Sequence, residues 1–281
     1  AYNDRNPVWL SGGIEADGPD GKIIKWTQPE ILLYDDDPFI RISYPDLIED
    51  DGKFYITETQ KDIARVHEID AGMLEKLWGQ FDLEELTETG LTLSLPDDSG
   101  KMPKEIKMPD FSPFIQRNYT KADYGSEDMR QGFTIDIWFE LKSDKSGKVL
   151  IDNRLANGQG IALQTTKKGT VAIVLNDCRT ESRWDCDPGL IEKKKLHHLA
   201  VIVDGGPKII TFIVDGMLCD GGDYRQFGWG RFNPEYRGVE GMENLRIGPS
   251  LKGKVKSLRM YDRALLTTEA IGNYWYGLNK P

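Results

Sequence analysis

Residues Glu243–Tyr276 read ENLRIGPSLKGKVKSLRMYDRALLTTEAIGNYWY. A short strand runs into a tight glycine turn, a second strand leaves through Tyr261-Asp262-Arg263-Ala264-Leu265, and a final helical turn closes the stretch. Upstream, the same grammar of short strands repeats. FTIDIWFEL (Phe133–Leu141) alternates, with Phe133, Ile135, Ile137, Phe139 and Leu141 pointing one way and Thr134, Asp136, Trp138 and Glu140 the other. KVLIDNR, GIALQTT, TVAIVLND, HHLAVIVDGG and KIITFIVDG follow at short intervals, separated by turn pairs such as Asp204-Gly205 and Asp215-Gly216. Regular short strands with Gly turns and almost no helix predict a two-sheet jelly-roll sandwich over residues 111–281.

Composition agrees with a turn-rich all-β chain. The 281 residues include 29 Gly and 14 Pro, and the length allows one large or two ordinary domains with real cores. A formal net charge of −10 argues against nucleic acid as a partner, because phosphates would meet a negative surface. A neutral or weakly charged glycan meets no such repulsion. No apolar run approaches the roughly 20 residues of a membrane-spanning helix, so no membrane partner is expected. The sequence opens on Ala1 with no initiator methionine, charged segment or apolar segment. It reads as a chain whose leader has been removed, or as a piece of something longer.

Residues 1–70 are dense in strand-and-turn signals. WLSGGIEADGPDGKIIKW places Asp20-Gly21 between two apolar-bearing runs, and IRISYPDLIEDDGKFYITETQ repeats the design around Asp51-Gly52. ARVHEI (64–69) can make a third strand. Successive antiparallel hairpins of this size suggest blades of a β-propeller, which needs at least four. The segment supplies one blade and part of another, and such a wedge leaves an apolar flank and open strand edges. The missing blades are therefore expected from a second chain or from a preceding region. Residues 71–110 read as a connection: a helix, AGMLEKLWGQFDLEEL, with Leu74, Leu77, Trp78 and Phe81 on one face, then the proline-rich LPDDSGKMPKEIKMPDFSPF.

Three pieces of the second half resemble the laminin-G-like, or concanavalin-A-like, jelly-roll family: FTIDIWFEL, LHHLAVIVDGG with KIITFIVDGMLCDGG, and the closing stretch quoted first. The resemblance implies a carbohydrate-binding sandwich whose site lies on the concave sheet or its rim loops, sometimes with Ca²⁺. No cofactor is required, and Asp136, Asp177 and Asp185, the candidate oxygen ligands for Ca²⁺, read more readily as solvated turn carboxylates. His197 and His198 open a strand in the family's structural pattern and are read as structural.

ISYPDLIEDDGKFYITE (42–58) is similar to the last blades of sialidase-like propellers. The resemblance implies that Tyr44 is the nucleophile and that Glu58 steadies an arginine of the carboxylate-binding triad, with Arg41 and Asp46 lining the substrate. A neutral phenol paired with a carboxylate base can attack beside an anionic sugar without charge repulsion. Trans-sialidases also join propeller to lectin-like sandwich through a helix. The same hairpin occurs as a structural element in five-bladed fructosidase and arabinanase-type propellers, and that alternative stays open.

In Asp223–Gly238, DYRQFGWGRFNPEYRG, aromatic residues sit among arginines, glycines and asparagine. Rings that stack on sugar C–H faces beside Arg and Asn donors make Tyr224, Trp229, Arg231, Tyr236 and, nearby, Trp184 substrate-binding candidates. The opposing reading folds these rings into a core. Of three cysteines, Cys178 and Cys186 flank a polar loop and are expected to form a disulfide, which implies a secreted, periplasmic or extracellular setting. Cys219 reads as a small buried thiol. The expectation is thus the C-terminal portion of a secreted, sialidase-like glycoside hydrolase, inactive as an isolated chain. The alternative is a non-catalytic glycan-binding protein.

Overall fold

The computed structural model describes residues 5–279 apart from 36, 38, 39, 61, 62, 97–99, 112–131, 144, 234, 235 and 237. The chain divides into two compact units, Ala1–Leu86 with Leu266–Pro281, and Thr87–Leu265. The last sixteen residues therefore belong to the unit that holds the first eighty-six.

The first unit is built from hairpins. β1 (Val8–Leu10) pairs with β4 (Glu30–Leu33), and β2 (Gly13–Gly18) pairs with β3 (Gly21–Trp26). β5 (Ser43–Asp50), β6 (Lys53–Gln60) and β7 (Ile63–Glu68) form a three-stranded antiparallel sheet. The β5–β6 turn is Asp51-Gly52 as read from the sequence; both residues have positive φ, 49° and 75°, which suits the right-handed twist of a hairpin. α1 (Ala71–Trp78) follows, its first turn capped by Asp70, whose carboxylate accepts from the Met73 amide at 2.7 Å. Leu74 and Leu77 are buried as the helical period predicts, while Trp78 stays 42% exposed and meets Phe54 edge-on. Ile56, Ile69 and Leu74 make a small core against Val8, Leu10, Leu32 and Phe54.

No sheet of this unit has four strands among the described residues. The expected hairpins are present, but a complete blade is not. Ile23, Ile24 and Trp26 on β3, Leu47 and Ile48 on β5, and Ile63 and Val66 on β7 are all exposed.

The second unit is a sandwich of two antiparallel sheets. Its strands are β8 (Leu91–Leu95), β9 (Glu105–Lys107), β10 (Phe133–Leu141), β11 (Val149–Asp152), β12 (Gly160–Thr165), β13 (Val171–Asn176) and β14 (Glu181–Asp185). They continue with β15 (Leu196–Asp204), β16 (Ile209–Val214), β17 (Met217–Leu218), β18 (Gly230–Arg231), β19 (Asn244–Ile247) and β20 (Gly253–Tyr261). One sheet runs β17-β16-β15-β10-β20-β8, with β18 also on β16; the other runs β14-β13-β12-β11-β19-β9. Phe133, Ile135, Ile137, Phe139 and Leu141 enter the shared core with Leu199, Val201, Phe212, Ile173 and Leu258, among others. Two-residue periodicity alone accounts for this choice of faces.

Three expectations change here. The stretch read as a connection contributes LTLSL and EIK as strands β8 and β9, one to each sheet, so the sandwich takes in residues well before 111. The part of the proline-rich stretch beyond Phe111, and with it the expected start of the sandwich, lies outside the described residues. The closing helical turn is a thirteen-residue helix, α2 (Thr267–Asn279). Finally, Thr134, Asp136 and Trp138 are buried although they point away from the core. Both faces of β10 are covered: Thr134 donates to the Arg263 carbonyl, and Asp136, read from the sequence as a solvated turn carboxylate, is buried mid-strand against His198 and Arg259.

Candidate functional site

Pro45 supplies no backbone donor, so a central ladder position cannot hold it without loss. The structure accommodates it in a β-bulge: Ser43 pairs with Thr59 and Asp46 with Thr57, leaving Tyr44 and Pro45 together opposite Glu58. Tyr44 sits at φ 50°, in the left-handed region, and its side chain is 81% exposed. A non-glycine residue held there costs on the order of 1 kcal/mol, and such strain concentrates at functional positions. The bulge is braced by Thr59 Oγ1, which donates to the Ser43 carbonyl at 3.4 Å, and by Arg5, which donates to Ser43 Oγ at 3.4 Å.

Glu58 shares the face of β6 that buries Ile56, and is itself 3% exposed. Its Oε1 accepts from Arg65 at 3.0 Å and lies 3.1 Å from His67 Nε2. Arg65 pairs directly with Glu58 across β6–β7, and His67 follows two residues on, on the same face. Arg65 also approaches Asp35, at 3.8 Å. Burial opposes ionisation of Glu58, but the hydrogen bonds and charges of Arg65 and His67 outweigh it and hold the carboxyl below its usual range. Glu58 Oε2 is buried and has no hydrogen-bond partner among the described residues. Asp46 is exposed on β5 and Arg41 is exposed just before it. Tyr44, Asp46 and Glu58 thus belong to one hairpin, but Asp46 pairs with Thr57 and so lies on the face opposite to that of Glu58. Arg65 and His67 were not singled out in the sequence; their matching parity in ARVHEI, carried through the hairpin to Glu58, was the available signal.

The sandwich candidates separate into two groups. Tyr236 is fully buried and its hydroxyl donates to the Leu175 carbonyl at 2.8 Å, so it is a core residue and the substrate-binding assignment is corrected. Phe232 joins the same core. Trp184 is also committed internally: its Nε1 donates to the Gly228 carbonyl at 3.0 Å, and Arg225 lies 4.8 Å from its ring centroid. A methyl group added at Gly230 would fall 2.3 Å from Trp184 Cδ2, which shows how closely the backbone is applied to the indole. Tyr224, by contrast, is 69% exposed. Trp229 is half-buried and stacks on Phe227, with centroids 5.2 Å apart, while Arg231 covers it at 5.2 Å and donates to the Pro207 carbonyl at 2.7 Å.

The expected Cys178–Cys186 disulfide is absent; all three cysteines are free. Cys178 lies in the β13–β14 turn and Cys186 just past the far end of β14, where its amide bonds to the Val171 carbonyl. Five paired residues separate them, about 17 Å at the rise of a strand, against a disulfide Cα separation below about 7 Å. The inference of an oxidising compartment loses this support.

The remaining polar candidates serve the fold. His198 Nε2 lies 3.0 Å from Asp136, which also meets Arg259 at 3.4 Å; His197 Nδ1 lies 2.7 Å from Asp215. Asp177 accepts from the amides of Arg179 and Thr180, and Asp185 pairs with Arg225 and Thr170. Among the described residues no group of three or more His, Cys, Asp or Glu side chains is arranged to hold a metal.

The family model of the Concanavalin A-like lectin/glucanases superfamily matches residues 116–271, over half of the sequence, and the chain belongs to that superfamily. No curated protein matches the sequence. Among solved structures, the chain is similar to the CBM40 of a Ruminococcus gnavus IT-sialidase bound to α2,3-sialyllactose, at 14% identity and TM-score 0.43, over 65% of this chain and 98% of that one. It is also similar to a Trypanosoma rangeli sialidase in complex with sialic acid, at 12% identity and TM-score 0.43, over 96% of this chain and 53% of that one. A leech intramolecular trans-sialidase gives 14% identity and TM-score 0.40, over 67% and 28%.

Proposed function

We propose that the chain is the C-terminal portion of a secreted, sialidase-like glycoside hydrolase whose concanavalin-like unit holds glycan or buttresses a propeller. One observation carries this reading: Tyr44 stands strained and exposed on a bulge directly opposite a buried glutamate braced by arginine and histidine. In the reaction, the Tyr44 hydroxyl gives its proton to a carboxylate base as its oxygen bonds to the anomeric carbon and the glycosidic C–O bond breaks. An acid protonates the departing oxygen. That acid's conjugate base then takes a proton from water, whose oxygen bonds to the anomeric carbon and displaces tyrosine. The tyrosine recovers its proton from the first base. Glu58 Oε2, without a partner here, is the acceptor for a substrate-orienting arginine. That arginine and the acid belong to further blades on a neighbouring polypeptide segment. The apolar residues exposed on β3, β5 and β7 support such a neighbour.

The test uses the whole enzyme and a panel of aryl sialosides, fructosides and arabinosides. Tyr44→Phe should lower the rate on the preferred substrate at least about 100-fold, and a fluorinated activated glycoside should leave its sugar on Tyr44 in a peptide map. Near-normal turnover by the variant rejects the nucleophile. A second reading, a non-catalytic glycan-binding protein, draws support from exposed Tyr224, from the Phe227–Trp229 stack a few residues on in sequence, and from superfamily membership. Glycan binding by the chain in the absence of any turnover by the whole protein would favour it.

A further inference from the structure

Cys186 follows β14, the edge strand of one sheet, and Cys219 follows β17, the edge strand of the other. Both are buried in the same core cluster, at 0% and 4% exposure. The two segments are laced together around them. Trp184 Nε1 donates to the Gly228 carbonyl, Arg225 donates to the Asp185 carbonyl at 2.8 Å, and the Gly221 amide donates to Asp187 Oδ2 at 2.9 Å. Arg225 also pairs with the Asp187 carboxylate. Cys186 therefore sits between two residues, Asp185 and Asp187, that both bond the segment just past Cys219. Cys178, at the other end of the β13–β14 hairpin, has no such access.

We propose that Cys186 and Cys219 are the chain's disulfide-forming pair, closing a bond that ties the edge of one sheet to the edge of the other when the protein matures under oxidising conditions. The co-reactant is a disulfide such as oxidised glutathione. The thiolate of one cysteine attacks it, forming a mixed disulfide and releasing one glutathione thiolate. The second cysteine then gives up its proton to solvent and displaces the other glutathione. Two protein S–H bonds are replaced by one S–S bond, and two glutathione thiols are formed. Burial pushes the Cys186 thiol up to about 12 and raises Cys219 as well, so the folded, reduced protein reacts slowly. Closure belongs to folding, before the segment after β17 has packed down. Because this bond makes no use of Tyr44 or of glycan, it stands or falls apart from the proposed function.

The experiment compares full-length chain made in the bacterial cytosol with chain exported to the periplasm, each alkylated under denaturing conditions and mapped without reduction. Export should yield a Cys186–Cys219 cross-linked peptide two hydrogens lighter than its parts, with Cys178 alkylated. Cytosolic chain should show all three cysteines alkylated. The oxidised form should melt roughly 5–10 °C higher, and exported Cys219→Ala should show no cross-link while remaining folded by circular dichroism. Recovery of Cys186 and Cys219 as separate alkylated peptides after export overturns the proposal, as does a Cys178–Cys186 cross-link. If export fails, refolding reduced chain in a glutathione redox buffer gives the same map with the same two overturning results.

Discussion

Glu30 offers the sharpest test of how the two ends of the chain are joined. It opens β4, is 2% exposed, and its two carboxylate oxygens accept from the Thr267 amide at 2.9 Å and the Thr268 amide at 2.5 Å. These are orphan donors of the first turn of α2, so a residue far away in sequence caps the C-terminal helix. Burial raises the carboxyl from 4.5 to about 7, with the Thr268 and Thr267 hydrogen bonds only partly offsetting it. A raised carboxyl means that folding takes up a proton between those values. Stability from this group is fully present below pH 4.5 and is lost as pH rises through about 7; the loss amounts to about 3 kcal/mol. Glu30→Gln removes the titration and, with one carbonyl oxygen for two amides, leaves one donor unpaired, costing about 1–3 kcal/mol at pH 5. Glu30→Ala loses both acceptors and should cost about 2–4 kcal/mol there. The assay is urea unfolding from pH 4.5 to 8, with hydrogen exchange at Thr267 and Thr268 as the local readout. The wild type should lose stability relative to Glu30→Gln as pH rises. Parallel curves across that range, or unchanged protection of the two amides in Glu30→Ala, would refute the reasoning.

Gly230→Ala places a methyl group 2.3 Å from Trp184 Cδ2, and the resulting overpacking should cost about 1–3 kcal/mol in urea unfolding. Tyr236→Phe keeps the buried ring but deprives the Leu175 carbonyl of its donor, a loss of about 1 kcal/mol, whereas Tyr236→Ala should cost about 3–5 kcal/mol. A ligand role for Tyr236 would instead appear as weaker glycan binding at unchanged stability. Tyr224→Ala and Trp229→Ala should weaken any glycan binding roughly tenfold by calorimetry, with Tyr224→Ala leaving the melting temperature unchanged; full affinity in both removes the loop from consideration.

The sheets were legible because their signals are local. FTIDIWFEL, HHLAVIVDGG and KIITFIVDG each declare by two-residue parity which side chains enter the core, and Asp51-Gly52 declares its turn without reference to the rest of the chain. LTLSL shows the same parity, yet its neighbouring prolines pointed to a linker; only its pairing with β20 makes it a strand. Tyr44 and Glu58 could be named from one hairpin, while Arg65 and His67 required the register of the next strand.

By itself, the sequence determined the all-β class, the faces of the strands and the superfamily, since backbone periodicity and turn chemistry act within a few residues. Tertiary structure alone decided the pairings: Glu30 with the start of α2, Asp136 with His198 and Arg259, Tyr236 with Leu175, and the segment after β14 with the segment after β17. Such pairings join residues that nothing nearby in the chain connects. They come into being only when closing long loops is repaid by burying a common core, and that core chooses which polar groups are left facing one another.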